Sequence, residues 1–282
     1  MTRAFPALFV VLWSTGFIGS KLGLPYAEPA TFLVLRFLLV LGILLPICWV
    51  FRAPWPGPGG AIHMAVAGVF LQAGYLGGVF ASLAEGMPAG VSALITGLQP
   101  VLTALLGSWL LRESPTPRQW LGIALGLAGV LLVVGDKIVT ARLGTAAIGF
   151  SALALASISL GTVWQKRHGG TVDLRTGAAI QFMAAAVVLA PFAFAFETRE
   201  VRWTVEFAFA IGWLAVVLSF GAIFLLLYLI RHGSATRVAS LFYLVPPTTA
   251  LMAWPLFGET YSATAAAGMG LAMLAVWLVT KT

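Results

Sequence analysis

Long apolar runs alternate along the chain with short connections rich in Gly, Pro and charged residues. The runs are about 20 residues long, which is the helix length needed to cross the hydrocarbon core of a bilayer. Ten spans can be drawn, at 4–22, 30–51, 61–83, 88–110, 117–135, 147–165, 175–196, 207–230, 235–257 and 262–280. A membrane barrel would need alternating segments half as long, so the pattern predicts helices. The most irregular connection, Ala53-Pro54-Trp55-Pro56-Gly57-Pro58-Gly59-Gly60, cannot continue a helix.

The polar and small positions inside the spans recur. Leu98-Gln99-Pro100-Val101-Leu102-Thr103-Ala104-Leu105, with Glu113 and Gly122 beyond it, shifts by 146 onto Leu244-Val245-Pro246-Pro247-Thr248-Thr249-Ala250-Leu251, with Glu259 and Gly268. At an offset of 145, Ser14 meets Ser159, Lys21 meets Lys166, Leu35-Arg36-Phe37 meets Ile180-Gln181-Phe182, and Pro46 meets Pro191; at 147, Gly74 meets Gly221. Residues 1–140 and 141–282 are therefore expected to be two five-helix repeats with no soluble domain. Five is odd, so the second copy enters the membrane upside down. The expected fold is an all-α integral membrane protein with ten transmembrane helices in an inverted 5+5 repeat. Such repeats typify secondary transporters, with the substrate site near mid-membrane between the copies.

Composition narrows the class further. Only 9% of the 282 residues are charged, where soluble domains run near 25%. The net charge of +7 does not point to nucleic acid, because the basic residues sit singly in short connections. With the N-terminus inside, ten Lys and Arg fall on the cytoplasmic side, five on the outer side, and Arg36 within a span, accounting for all 16. That bias predicts a cytoplasmic-membrane protein with both termini in the cytoplasm. The single cysteine, Cys48, excludes an internal disulfide. Thr2-Arg3 leads straight into the first span, so no cleaved leader is expected.

Chemistry-bearing motifs are absent: there is no phosphate-binding loop, no H-E-x-x-H and no G-x-S-x-G. Neither an enzyme nor a bound cofactor or metal is expected. His63, His168 and His232 fall at span ends and read as interfacial residues. All nine acids lie at span ends or in loops, so no deeply desolvated carboxylate is expected as a proton carrier, with Glu85 and Glu113 the candidates otherwise.

The Leu12-Trp13-Ser14-Thr15-Gly16 opening with Lys21, the Leu35-Arg36-Phe37 core of span two, and Gln99-Pro100 followed by Glu113 with its second-half counterpart resemble the EamA type of the drug/metabolite transporter superfamily. The likeness covers essentially the whole chain and implies a ten-helix exporter of small metabolites. Within that family the chain is similar to exporters of amino acids, aromatic ones in particular. It departs from the pattern at Gln181, where the second copy lacks the arginine, and at Val245, where it lacks the glutamine.

The residues expected to meet substrate are Trp13, Ser14, Gln72, Tyr75, Gln99, Trp164, Ser219 and Tyr243. They are the neutral polar and aromatic positions of spans one, three and four and their counterparts six, eight and nine. An amide facing lipid loses its hydrogen bonds, so each must face protein or a wet cavity, and interhelical contact is the competing reading for every one of them. Hinges are expected at Pro100 and Pro246, where the ring removes a backbone donor, and at Gly74 and Gly221. Arg36 reads first as a structural residue tied to carbonyls, to Glu28 or to Glu85, and second as an electrostatic attraction for a substrate carboxylate. Spans five and ten carry small-residue faces, Gly122-x-x-x-Gly126 and Gly268-x-x-x-Ala272, and almost no polar side chains; they read as scaffold or as the surface of a possible homodimer. The expected partners are a small-molecule substrate and the lipid bilayer. The expected function is export by alternating access of amino acids, including aromatic and apolar ones. The alternatives are a carrier of a purine, sugar derivative or drug-like amphiphile, a channel, or an intramembrane enzyme.

The topology is testable. In a Cys48→Ser background, single cysteines introduced as Trp55→Cys and Gly169→Cys are both expected to react only with reagents reaching the cytoplasmic face. Labelling of either from outside overturns the orientation.

Overall fold

The structure is a computed structural model that describes residues 5–103, 106, 116–141, 143–170, 172–222, 225 and 241–280. Among these, ten helices follow one another: α1 (Phe5–Gly23), α2 (Pro29–Val50), α3 (Pro58–Ala84), α4 (Ala89–Thr103), α5 (Pro117–Ala141), α6 (Thr145–His168), α7 (Leu174–Phe196), α8 (Val205–Ala222), α9 (Val245–Phe257) and α10 (Ala263–Thr280). Six of them, α1 to α3 and α6 to α8, are long and apolar enough in their described parts to cross a membrane, and α4, α5 and α10 contain shorter apolar stretches. The irregular Pro/Gly connection ends where Pro58 takes the first turn of α3, a position at which its missing N–H costs nothing.

Helix α2 packs along α7, α4 along α9 and α5 along α10, each helix against its own counterpart in the other half. Further contacts are matched: α3 with α6 answers α8 with α1, and α3 with α7 answers α8 with α2. This is the pattern of a twofold relation. The start of α2 meets the end of α7, where Glu197 accepts hydrogen bonds from the Ala30 and Thr31 N–H groups, both 2.7 Å. The end of α2 and its following turn meet the start of α7, where the Thr176 hydroxyl donates to the Pro54 carbonyl, 2.9 Å. The two helices are therefore antiparallel, and the second half is inverted relative to the first.

Small residues permit the closest approaches. A Cβ on Gly78 of α3 would stand 2.7 Å from the Phe150 carbonyl oxygen of α6, and one on Gly268 of α10 would stand 2.6 Å from the Gly129 carbonyl oxygen of α5. The small-residue face of span ten thus packs within the chain, against α5.

The end of the bundle that carries Lys21 is held by buried polar contacts between the halves. Gly258, with φ 66°, ends α9 in the left-handed conformation and turns Glu259 inward, where it is 9% exposed. Glu259 accepts from the Lys21 ammonium (2.5 Å), the Ala89 N–H at the start of α4 (2.7 Å) and the Tyr261 hydroxyl (2.6 Å). Burial pushes this carboxyl up, but the hydrogen bonds from Lys21, Tyr261 and Ala89 outweigh it and hold the group below its ordinary value. An acid at a span end is thus far more enclosed than its position in the chain implies. Nearby, the 24–28 and 197–204 loops are joined by an antiparallel bridge between Ala27 and Val201 and by the Arg202 guanidinium donating to the Pro25 carbonyl, 2.6 Å.

Glu259 is expected to be a stability determinant. Replacing it with Ala strands Lys21 and the Ala89 N–H and should cost about 2–3 kcal/mol, the partial exposure of Lys21 placing it below a fully buried pair. Its contribution is complete above the ordinary carboxylate value of 4.5 and is lost as pH falls through the depressed folded value. Thermal unfolding in detergent of wild type and Glu259→Ala should therefore converge at acid pH; equal melting temperatures at neutral pH would exclude this role.

Candidate functional site

Four backbone irregularities sit at corresponding places in the two halves. Helix α3 carries a π-wound segment, Val69–Gly74, and α8 carries one at Trp213–Ala222. Helix α4 breaks at Leu98, whose N–H donates to Ile95 rather than Leu94, just ahead of Pro100. Helix α9 is preceded by a 3₁₀ turn, Phe242–Leu244, just ahead of Pro246 and Pro247. Proline explains the second pair, because each ring removes a donor from the helical ladder. In the π segment of α8, the Ser219 hydroxyl donates to the carbonyl of Leu214, 3.1 Å away. Irregular winding of this kind recurs at functional sites.

All four irregular segments contribute to one cavity of about 360 Å³. Leu71 and Gln72 come from the π segment of α3, Leu218 and Ser219 from that of α8, Gln99 from the break in α4, and Phe242 from the 3₁₀ turn. Helix α1 adds Trp13, Gly16, Phe17 and Ser20, and α2 adds Arg36; Tyr75, Ile158, Thr162 and Phe182 complete much of the wall. Among the described residues, none from α5 or α10 lines it. Trp13 and Phe242 meet edge to face, with centroids 5.1 Å apart, and make an aromatic wall from both halves. The Gln99 amide donates to the Thr162 hydroxyl, 2.8 Å, tying α4 to α6 and leaving its carbonyl oxygen as an acceptor. A second, more open groove of about 490 Å³ lies along α9 and α10, but its Leu251 and Trp254 are exposed on the outside of the bundle, as residues facing lipid are.

Five of the residues expected from the sequence come together here: Trp13, Gln72, Tyr75, Gln99 and Ser219. Ser14 does not line the cavity; it is fully buried, and its hydroxyl donates to the Val245 carbonyl, 3.3 Å. Trp164 does not line it either. It lies two residues beyond Thr162 toward the end of α6 that carries His168, donates its indole N–H to the His63 carbonyl (3.2 Å), and packs against the stacked His63 and His168 rings. Its wide, half-polar ring suited a substrate wall in the sequence, but it serves as a link between α3 and α6. The side chain of Tyr243 lies outside the described residues, as do Glu113 and His232. Phe242, one position earlier, faces the cavity and was missed; the offset of 146 pairs it with Thr96, which borders an adjoining pocket, and that correspondence was the available signal.

The hinge candidates divide. Pro100 and Pro246 stand at the two breaks. Gly74 is instead a packing position, where a Cβ would come 2.5 Å from the Ser157 hydroxyl of α6, whereas a Cβ on Gly221 would make only an ordinary contact, 3.9 Å, with the Val217 side chain among the described residues. Arg36, kept in the sequence mainly as a structural residue, is 4% exposed and lines the cavity. Its expected acid partners are elsewhere: Glu28 accepts from Thr198, 2.6 Å, and Glu85 caps the exposed end of α3.

Residues 4–135 and 145–281 each match the EamA-like transporter family. The chain belongs to this family: it is a multi-pass membrane transporter, not an enzyme. It is 28% identical over 281 residues to the uncharacterized inner membrane transporter YedA of Escherichia coli (strain K12), covering 98% of this chain and 90% of the relative. It is 27% identical to the uncharacterized transporter YvbV of Bacillus subtilis (strain 168), covering 99% and 91%. Over 45% of this chain and 40% of the relative it is 32% identical to a probable amino-acid metabolite efflux pump of Salmonella typhimurium (strain LT2). A solved crystal structure with 20% identity superposes with a TM-score of 0.65 over 97% of this chain and 94% of the other, a likeness of fold.

The cavity assignment predicts a contrast. Gln72→Ala and Tyr75→Ala should change which solutes compete for transport, or cut flux several-fold, with insertion and melting temperature preserved. Trp164→Ala should instead lower stability and leave the competition profile intact. If Trp164→Ala shifts the profile and the other two do not, the cavity is misassigned.

Proposed function

We infer that this transporter exports small metabolites, amino acids with apolar or aromatic side chains foremost, from the cytoplasm by alternating access. The cavity supports the reading: it is shared by both halves, walled by Trp13, Phe17 and Phe242, and furnished with the neutral polar groups of Gln72, Tyr75, Gln99 and Ser219. At about 360 Å³ it is near the small end of ligand pockets, which run from about 300 to 1,000 Å³. Aromatic faces receive an apolar side chain, and amides and hydroxyls receive polar groups without holding them too tightly for release. The part-length similarity to a probable amino-acid metabolite efflux pump supports the same substrate class.

In this reading 1–140 and 141–282 are the two units that rock against each other, with both termini in the cytoplasm. The Lys21 end is the outer one, closed by Glu259 and the joined loops, and the breaks at Pro100 and Pro246 are where α4 and α9 bend.

Counterflow in proteoliposomes tests the proposal. Labelled phenylalanine or leucine should accumulate against preloaded unlabelled amino acid, unchanged in chemical identity, and purines or sugars should not compete. Pro100→Ala and Pro246→Ala should slow that exchange several-fold more than they lower the melting temperature. Competition by nucleobases with no effect of amino acids would replace the substrate class, and normal exchange in both proline variants would remove the hinge.

A further inference from the structure

We propose that Arg36 is the anchor for a ligand carboxylate, and that the cavity selects small apolar monocarboxylates whether or not they carry an α-ammonium group. The proposal rests on reading this cavity as the carrier's substrate site, and it changes what that site recognises.

A guanidinium in the interior of a helical membrane bundle is costly unless something pairs with it. Arg36 is 4% exposed, and its Nε is buried with no hydrogen-bond partner. Among the described residues no carboxylate forms an ion pair with it; the two pairs found are Lys21 with Glu259 and Arg175 with Asp173. Other buried polar groups are paired within the chain, though the Ser92 and Thr249 hydroxyls are not. Gln181, the counterpart of Arg36 in the inverted half, is also buried, and its amide donates to the Gln165 carbonyl oxygen, 2.9 Å. Ser82 and Ser151 pair at 2.6 Å. Arg36 differs in carrying a charge at the cavity wall, where a ligand can reach the guanidinium.

The charges of the wall set the ligand class. Among the described residues, the lining contains one cation, Arg36, and no Asp or Glu. A monoanion neutralises the occupied cavity, and its carboxylate can take the guanidinium's paired donors in the geometry that makes such contacts strong. A zwitterion brings an ammonium as well, for which the described lining offers neutral acceptors: the carbonyl oxygen of Gln99, the Gln72 amide and the Tyr75 hydroxyl. Those contacts offset its lost hydration at best. An amine or an amide lacking the carboxylate places a second positive charge, or none, beside an unpaired guanidinium. The ordering that follows is acid equal to or better than amino acid, and both well above the amine.

Binding and transport read this separately. For the purified full-length protein in detergent, melting temperature is followed with phenylalanine, 3-phenylpropionate, phenethylamine and phenylalaninamide, and the same four compounds compete with labelled phenylalanine counterflow in proteoliposomes. The acid should stabilise and compete at least as well as phenylalanine. The amine and the amide should be at least tenfold weaker, the scale of one charge-assisted hydrogen bond. In Arg36→Gln the advantage of the acid over the amine should vanish, and Arg36→Lys should retain part of it. An amine or amide that binds as well as the acid to wild type overturns the anchor, as does the absence of any thermal shift with all four. Carboxylate-dependent shifts without counterflow would uphold the anchor and overturn the carrier reading; counterflow indifferent to the carboxylate would do the reverse.

Discussion

A polar group inside an apolar slab has no water to turn to, and most of this structure follows from that constraint. Backbone donors and acceptors close on themselves by forming helices. Side chains that remain polar must then meet one another across helices, and those meetings decide which helices are neighbours. Glu259 is the fullest case: one carboxylate gathers the ammonium of α1, the N-terminus of α4 and the hydroxyl of its own loop. Glu197 does the same for the start of α2. Both acids come from the second half and serve donors of the first, so the two halves are joined at the Lys21 end by the groups that could least be left alone.

The same constraint locates the cavity. Where α4 and α9 break and α3 and α8 wind loosely, backbone groups lose their regular partners, which is tolerable at membrane depth only where protein or a wet space surrounds them. The inverted repeat brings all four places together, because the counterpart of each irregular segment lies across the twofold relation from it. Helices α5 and α10 stay regular, approach through Gly129 and Gly268, and contribute none of the described residues of the wall. One half of the molecule's irregularity therefore doubles into a site, while its most regular helices form a support.

Duplication did not make the two sides alike. Arg36 faces Gln181 in the repeat, Gln99 faces Val245, and Thr96 faces Phe242. In each pair one member is polar or charged and the other is neutral or apolar, so the cavity has a chemically distinct orientation even though its framework is nearly symmetric. A carrier with such a site can hold an amphiphilic molecule one way round and still exchange the roles of its two ends.

Much of this was legible along the chain. Runs of apolar residues near the bilayer's thickness specify spanning helices on their own, since that length has few other uses, and the matched Pro100 and Pro246 carried both the repeat and the breaks, because a missing donor acts locally. Trp13, Gln72, Tyr75, Gln99 and Ser219 could be picked out as polar or aromatic positions on helices that should not face lipid. Direction across the bundle was not legible. Trp164 and Ser14 have the same character as the residues that line the cavity, yet one links α3 to α6 and the other donates to Val245, because which way a side chain points depends on helix rotation and on neighbours distant in the chain. The π segments left only a glycine as a trace, since that winding arises from packing rather than from a residue type. Only the tertiary structure decided that Glu259 is buried and paired while Arg36 is buried and not. The sequence counts charges, but whether a charge has found its opposite is a matter of distance.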